Sequence, residues 1–334
     1  MREALQYPPR FAVPIGWFFA SFSDDLAPGE AKALDAVGAQ LVVWRSEDGD
    51  AHVHDAFCPH LGAHLGYGGQ SIGGRLVCPF HAWEFDPDGS CAAIPYSARV
   101  NKGARLRTYE VQERNGLVMF WWHPDPAVAP MWTLGPIPEW GDATYTEPQC
   151  RQWVVQAPWQ EIAENALDLA HFPYLHGTGM LPVLDSYEAD GPVARVRTTQ
   201  QYDERAGGAM GKINTDSYGP GFNIVRFSGI VDTVLIGALA PIDEQSVRLT
   251  FSFSVKRASA DDFDSQEAAD SFTEKVGDAF VAEVGRQLEQ DVVIWENKAH
   301  LPVPALADGD GPVMQFRRWA AQFYPDSEPA GSTP

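Results

Sequence analysis

Two short Cys–His pairs constrain this chain more than any other feature. Cys58 and His60 open the run CPHLGAHLGYGG, and Cys78 and His81 lie a few residues further on in CPFHAW. Each pair is a small two-ligand loop, and two such loops can close over one metal centre. Two soft thiolates and two imidazoles suit either zinc or an iron–sulfur cluster. Pro59 and Pro79 stiffen the chain beside each Cys. Gly62, Gly66, Gly68 and Gly69 let backbone N–H groups come close to sulfur.

Zinc sites with this donor set usually pair Cys with Cys and His with His. Here each loop supplies one of each, with one residue between Cys58 and His60 and two between Cys78 and His81. That asymmetry fits a Rieske [2Fe–2S] centre, where two Cys hold one iron and two His the other. A zinc site of the same four residues is the alternative. Neutral imidazoles in place of two thiolates make the cluster easier to reduce. CPHLGAHLGYGG with CPFHAW resembles the Rieske domain of Rieske non-heme iron oxygenases. Ala82 departs from the family pattern, which commonly has Gly before the Trp.

A chain of 334 residues is long enough for two domains with separate cores. Residues 17–130 read as short strands: AQLVVWR, AHVHDAF, GRLVC, AWEFD, LRTYEVQE and LVMFWW are β-branched or aromatic runs bounded by Gly, Asp or Pro. Pro124, Pro126, Pro130, Pro136 and Pro138 mark a boundary. The expected organisation is an all-β metal-binding domain over residues 1–130 and a second domain over 131–334. In the second, a helix is expected near 160–172, then the strands ARVRTTQQYDE, AMGKINTDSY, FNIVRFSGI, DTVLIGALAP and SVRLTFSFSV in an antiparallel sheet. A long helix from about Ser265 to Lys298 and a short one in FRRWAAQFY follow. The fold class is α+β.

The net charge of −21 argues against nucleic acid and anionic membrane surfaces as partners. The apolar run FAVPIGWFFASF is short, broken by Pro14 and Gly16, and has no cleavage pattern, so no signal peptide is expected. No run of eighteen apolar residues occurs, so no spanning helix is expected. Cys91 and Cys150, left over from the metal loops, make no disulfide framework, and a reducing cytoplasm is the simpler setting.

A second centre emerges from spacing. Asn165, Asp168 and His171 recur every three residues and would share one side of the 160–172 helix. Pro173 would end that helix, and the break would let His176 join His171 at one point. On the long helix, Phe272, Val276, Phe280, Val284, Leu288 and Trp295 form an apolar stripe that also holds Asp291. A bare carboxylate there costs several kcal/mol, roughly, unless paired or metal-bound. Arg286 and Lys298 are the candidate pairing partners. Taken alone, His171 and His176 are more often ordinary polar residues than ligands. Together with Asp291 they have the composition of a 2-His-1-carboxylate triad for non-heme Fe(II).

ENALDLAHFPYLHG resembles the iron-binding motif of the Rieske oxygenase catalytic domain, and DVVIWENK the segment carrying that family's aspartate ligand. The resemblance implies that His171, His176 and Asp291 bind a mononuclear Fe(II). It implies that Asp168 is the carboxylate bridging to a Rieske His, here His81, of the next subunit in a head-to-tail homotrimer. Asn165 either assists this site or caps local backbone. FAVPIGWFFASFSDDLAPGE, IPYSARV and DGPVMQFRRWAAQFY look most like the branch with 3-ketosteroid 9α-hydroxylase oxygenase components and cholesterol 7-desaturase. The implied fold is a Rieske domain followed by a helix-grip, START-like catalytic domain. The implied function is that of a terminal oxygenase using O₂ to hydroxylate a steroid or similar bulky apolar molecule. No G-x-G-x-x-G fingerprint precedes a helix, so electrons would come from a separate NAD(P)H-dependent reductase or ferredoxin. Desaturation or oxidative demethylation of a sterol or aromatic substrate, a Rieske electron carrier without turnover, and a binding protein on the same fold are the alternatives.

Overall fold

The computed structural model describes residues 7–201 and 208–324. The chain divides into two compact units, Ile15–Pro136 with Ala240–Asp243, and Met1–Pro14 with Ile137–Leu239 and Glu244–Pro334.

The first unit is built of strands: β1 (Gly16–Phe22), β2 (Ala31–Ala36), β3 (Ala39–Arg45), β4 (Ala51–Asp55), β5 (Gln70–Ile72), β6 (Arg75–Val77), β7 (Glu84–Phe85), β8 (Cys91–Ala93), β9 (Thr108–Tyr109), β10 (Val111–Arg114) and β11 (Leu117–Trp122). They form three sheets, ordered β1-β11-β10, β2-β3-β4-β9 and β5-β6-β7-β8. β1 falls inside the apolar run FAVPIGWFFASF. It shows no period of two because nearly every residue is buried against β11. Arg45, 7% exposed, joins two of the sheets. Its guanidinium donates to both carboxylate oxygens of Glu113 at 2.9 and 2.8 Å and to the Leu26 and Gly49 carbonyls. Below the metal loops, Trp44, Leu65, Leu76 and Phe85, all fully buried, pack with Cys58, Cys78, Trp83 and Ile94 in one core.

The second unit centres on a seven-stranded sheet. Its strands are β12 (Gln149–Val155), β13 (Val183–Asp190), β14 (Val193–Gln201), β15 (Met210–Tyr218), β16 (Phe222–Ser228), β17 (Thr233–Pro241) and β18 (Val247–Val255), in the order β12-β18-β17-β16-β15-β14-β13. Pairing is antiparallel from β13 through β17 and between β12 and β18. Helices α1 (Trp159–Ala163), α2 (Gln266–Trp295) and α3 (Val313–Ala320) complete it. Ser265 caps α2 by accepting from the Ala268 N–H at 3.1 Å. The helix lies on the sheet through Val281, which packs with Leu235 and Phe253.

Two local expectations change. The buried line of α2 is Ala269, Thr273, Gly277, Val281, Leu288, Asp291 and Trp295, whereas Phe272 is exposed. Small residues bring the first half of α2 close to the sheet: a Cβ at Gly277 would stand 3.2 Å from Val255. The larger Val276, Phe280 and Val284 then face a cavity. The helix expected over 160–172 is also discontinuous. α1 ends at Ala163, a 3₁₀ turn covers Glu164–Ala166, and a π-helix covers Phe172–His176. Pro173 stands in the first turn of the π-helix, where its missing N–H costs no hydrogen bond. It begins an element rather than ending one.

α1 is also held electrostatically. Buried Glu161 pairs with Lys298 at 2.6 Å and with the His300 imidazole at 2.6 Å. Arg317 on α3 holds both oxygens of buried Glu164, at 2.8 and 2.9 Å. Burial works against the Glu161 charge, but His300 and Lys298 prevail and keep its carboxyl below the ordinary glutamate range.

Candidate metal centres

The two Cys–His loops are built alike. Cys58 N–H donates to the Ala63 carbonyl and Gly62 N–H to the Cys58 carbonyl, both at 2.9 Å. Cys78 N–H donates to the Trp83 carbonyl at 2.8 Å and Ala82 N–H to the Cys78 carbonyl at 3.0 Å. The fourth residue after each Cys is left-handed, Gly62 at φ 75° and Ala82 at φ 53°. The family's glycine position therefore has a backbone reason, and Ala82 meets it under strain. The loops bring the rings of His60 and His81 to 4.8 Å, nearly perpendicular. His60 stacks on Trp83 at 4.5 Å, and the Trp83 indole donates to the Tyr96 hydroxyl at 2.7 Å.

This pocket suits a cluster held by two Cys and two His. Cys58 and Cys78 are free thiols, both buried. Burial, joined by the neighbouring Cys78, pushes the Cys58 thiol up to about 12 against the pull of the His60 N–H. Such a group is uncomfortable as a bare thiolate and is satisfied by a cation. His81 Nδ1 is buried without a hydrogen-bond partner.

In the second unit, His171, His176 and Asp291 present ligand atoms within 4.8 Å of one another. Asp291 Oδ1 lies 3.3 Å from His176 Nε2 and 3.9 Å from His171 Nε2. It has no hydrogen-bond partner despite burial. Its candidate counter-ions are engaged elsewhere, Arg286 with Glu283 and Lys298 with Glu161. The other face of each imidazole is occupied. His171 Nδ1 donates to the Asp168 carbonyl, and His176 Nδ1 to Gln290 Oε1 at 3.0 Å. Both Nε2 lone pairs are thereby directed toward Asp291, the arrangement that outer hydrogen bonds impose on metal-binding histidines. Burial lowers the His176 pKa, but Asp291 and Gln290 outweigh it and the net direction is upward.

Asp168 and Asn165 lie beside this cluster. An Asp168 carboxylate oxygen accepts from the His171 backbone N–H at 3.3 Å, and His171 holds the Asp168 carboxyl below its ordinary range. Asn165 Nδ2 donates to Asp291 Oδ2 at 3.2 Å and stands 3.5 Å from His171 Nε2. Sequence reasoning missed Gln290, although its place next to Asp291 was a usable signal.

The cluster sits on the wall of a cavity of about 530 Å³, lined by residues of α2 and of the seven-stranded sheet. Ile162, Leu167, Val196, Val225, Phe227, Leu235 and Phe280 make it mainly apolar. A smaller cavity of about 200 Å³, lined by Asp168, Asp310 and Lys298, shares Asn165, His171 and Asp291 with it.

Together the paired Cys–His loops and the sheet-and-helix unit define a Rieske-type oxygenase, and a Rieske [2Fe–2S] domain model matches residues 16–110. The chain belongs to the family of the 3-ketosteroid 9alpha-hydroxylase C-terminal domain, whose model matches residues 120–324. It is 33% identical over 341 residues to a probable 3-ketosteroid-9-alpha-monooxygenase oxygenase component of Rhodococcus rhodochrous, covering 96% of this chain and 82% of the relative. It is 29% identical to the cholesterol 7-desaturase of Xenopus laevis, covering 97% of this chain and 74% of that one. The fold matches the crystal structure of dicamba monooxygenase bound to dicamba, with TM-score 0.74, 17% identity, and 95% and 98% of the two chains covered. Among the described residues, no helix is long and apolar enough to cross a membrane.

Proposed function

We propose that this protein is the terminal oxygenase of a multicomponent monooxygenase that hydroxylates a steroid or similarly bulky apolar substrate. In this reading residues 1–130 serve electron entry and residues 131–334 serve catalysis. Cys58, His60, Cys78 and His81 would hold the [2Fe–2S] cluster, and His171, His176 and Asp291 a mononuclear Fe(II). The observation that carries the second assignment is the partnerless, buried Asp291 Oδ1 facing two imidazoles whose Nδ1 atoms are engaged. The iron would supply activation of O₂ beside His171, His176 and Asp291.

The chain's own residues supply the rest. Asp168 and Gln290 fix the two imidazoles in the Nε2-binding tautomer. Asn165 orients the Asp291 carboxylate. The apolar cavity excludes water and positions the substrate beside the triad. The steroid reading draws on the relatives' named activities and on this cavity. Asp168 is read as the carboxylate that meets His81 of a neighbouring copy, which calls for a homotrimer. A separate NAD(P)H-dependent reductase or ferredoxin would deliver the electrons, in the cytoplasm. Desaturation of a sterol is the second reading, favoured by the similarity to the cholesterol desaturase.

Metal analysis tests the ligand sets: about three irons and two sulfides per chain are expected. His171→Ala should keep the cluster's visible spectrum, lose about one iron and abolish product. Retention of all the iron, or zinc in its place, would overturn the assignment. A steroid panel with a competent reductase, scored by product mass, separates added oxygen from lost hydrogen.

A further inference from the structure

The pocket of the paired Cys–His loops is bordered by a loop of reversed charge. From Cys91 to Tyr109 the chain carries Arg99, Lys102, Arg105 and Arg107 and no carboxylate, although Asp and Glu outnumber Lys and Arg by 45 to 24 over the whole sequence. The loop is anchored at its base. The Cys91 N–H donates to the Ala104 carbonyl at 3.2 Å, and Cys91, Ile94, Ala104 and Leu106 are buried in the same core as Cys58, Cys78 and Trp83. Between these anchors every residue from 95 to 103 is exposed. Two internal ties hold its shape: Ser97 Oγ donates to the Arg99 carbonyl at 2.7 Å, and Asn101 Oδ1 accepts from the Gly103 N–H at 3.0 Å.

The four cations are not equivalent. Arg107 lies over the Tyr109 and Trp122 rings, and Arg105 is paired with Asp88 at 3.2 Å. Arg99 and Lys102 are exposed, and among the described residues neither has an ion-pair partner. Their charges are open to a second protein. Another side chain of the loop leads inward. Tyr96, 61% exposed, accepts a hydrogen bond from the Trp83 indole at 2.7 Å, and Trp83 stacks on His60 at 4.5 Å with the rings 9° from parallel. The Tyr96 ring centre lies 6.4 Å from those of both His60 and His81. An exposed ring of the basic loop is thus joined, through one indole, to His60.

Resting on the oxygenase reading above, we infer that this loop is the docking surface for an acidic one-electron carrier protein, held by Arg99 and Lys102 with its cofactor placed against Tyr96. One electron moves at each encounter: the carrier's cofactor is oxidised, the cluster is reduced by the same electron, and no bond is made or broken. Electrostatics select the site. A chain of net charge −21 repels an acidic protein over most of its surface, so one attractive loop steers the encounter to the face where Trp83 meets His60. A basic carrier finds no such guidance, because carboxylates are spread along the rest of the chain.

Anaerobic stopped-flow on the iron-loaded protein, as purified, tests this with an acidic plant-type ferredoxin as donor, whose potential lies below that of a Rieske centre. Arg99→Glu with Lys102→Glu should lower the second-order rate of cluster reduction about ten- to a hundredfold at low salt. The difference should shrink as salt is added, since the Debye length falls from about 30 Å at 0.01 M to about 8 Å at 0.15 M. Lys212→Glu with Lys275→Glu makes the same change of net charge at exposed positions on β15 and α2, and should leave the rate close to wild type. Reduction by dithionite, the midpoint potential of the cluster and the oligomeric state should be unchanged in both double variants. Tyr96→Leu should lower the limiting rate at saturating ferredoxin and keep the salt dependence. Equal losses in the two double variants would overturn the inference by showing a net-charge effect. So would an unchanged rate in Arg99→Glu with Lys102→Glu, a changed oligomeric state in that variant, an unchanged limiting rate in Tyr96→Leu, or a wild type that ferredoxin does not reduce. If dithionite bleaches no cluster band, the oxygenase reading itself fails and this inference with it.

Discussion

The Nδ1–H of His176 donates to Gln290 Oε1 at 3.0 Å, and Gln290 is the residue before Asp291 on α2. One turn of helix thus presents a carboxylate to the triad and the carboxamide that orients its neighbour. Outer partners of this kind typically contribute 10–100-fold in metal affinity or activity. If His171, His176 and Asp291 hold an iron as proposed, Gln290→Leu should weaken its retention by about that factor while leaving the cluster intact. Iron per chain after dialysis against a chelator, with the cluster absorbance as internal control, is the measurement. Undiminished iron would remove Gln290 from the site.

Ala82 offers a stability test of the Rieske loop. Its φ of 53° is the conformation that Gly62 adopts in the twin loop. A Cβ in that region costs about 1–2 kcal/mol, partly offset by the greater unfolded-state freedom of Gly. Ala82→Gly should stabilise the holoprotein by about 1 kcal/mol, and Gly62→Ala should destabilise it by a similar amount. A Cβ at Gly62 would meet nothing within 4 Å, so its cost is torsional. Urea midpoints of both variants measure the pair; shifts of the same sign would contradict the account.

The Arg317–Glu164 pair should behave as a buried ion pair, its side chains being 15% and 7% exposed. Arg317→Met strands Glu164 and should cost about 3–5 kcal/mol. Adding Glu164→Gln should recover much of that loss, because no buried charge then remains. Denaturant unfolding of the two single variants and the double variant gives the coupling. Additive losses would mean that the residues are not energetically paired.

His54 predicts an acid limit for the first unit. The ring is 1% exposed, and burial drives its pKa down to about 4 although its Nε2–H reaches the Pro87 carbonyl at 3.0 Å. The unfolded chain takes up a proton near pH 6.5 and the folded one only near 4. Stability contributed by neutral His54 is complete above pH 6.5 and falls as pH drops toward 4, by about 3 kcal/mol. His54→Gln should flatten the melting temperature across that window. An unchanged slope would assign the acid sensitivity to other groups.

Legibility in the sequence followed the range of the interactions. The Cys–His loops and the strands from ARVRTTQQYDE, whose residues 202–204 lie outside the described residues, to SVRLTFSFSV were readable because short spacing and alternation are local. Asp291 was readable because it interrupts an apolar stripe, and it is indeed buried beside Leu288 and Trp295. The break between α1 and the π-helix was not, because Asn165, Asp168 and His171 also fit an unbroken helix. β1 was hidden by burial on both faces. The burial of Glu161 and Glu164 was not legible, since their partners Lys298, His300 and Arg317 lie more than a hundred residues away in sequence.

Those partners also bear on synthesis. Glu164 leaves the ribosome 153 residues ahead of Arg317, and Glu161 139 residues ahead of His300. At ~5–20 residues per second, roughly seven to thirty seconds pass in which two carboxylates destined for burial have no counter-charge. During that interval the burial of Trp159 and Ile162 on α1 has to carry the cost of two unpaired carboxylates. The ion pairs that hold α1 therefore close only after α3 has been made, whereas Arg45–Glu113 and Arg75–Glu84 of the strand-built unit join residues within 45–113.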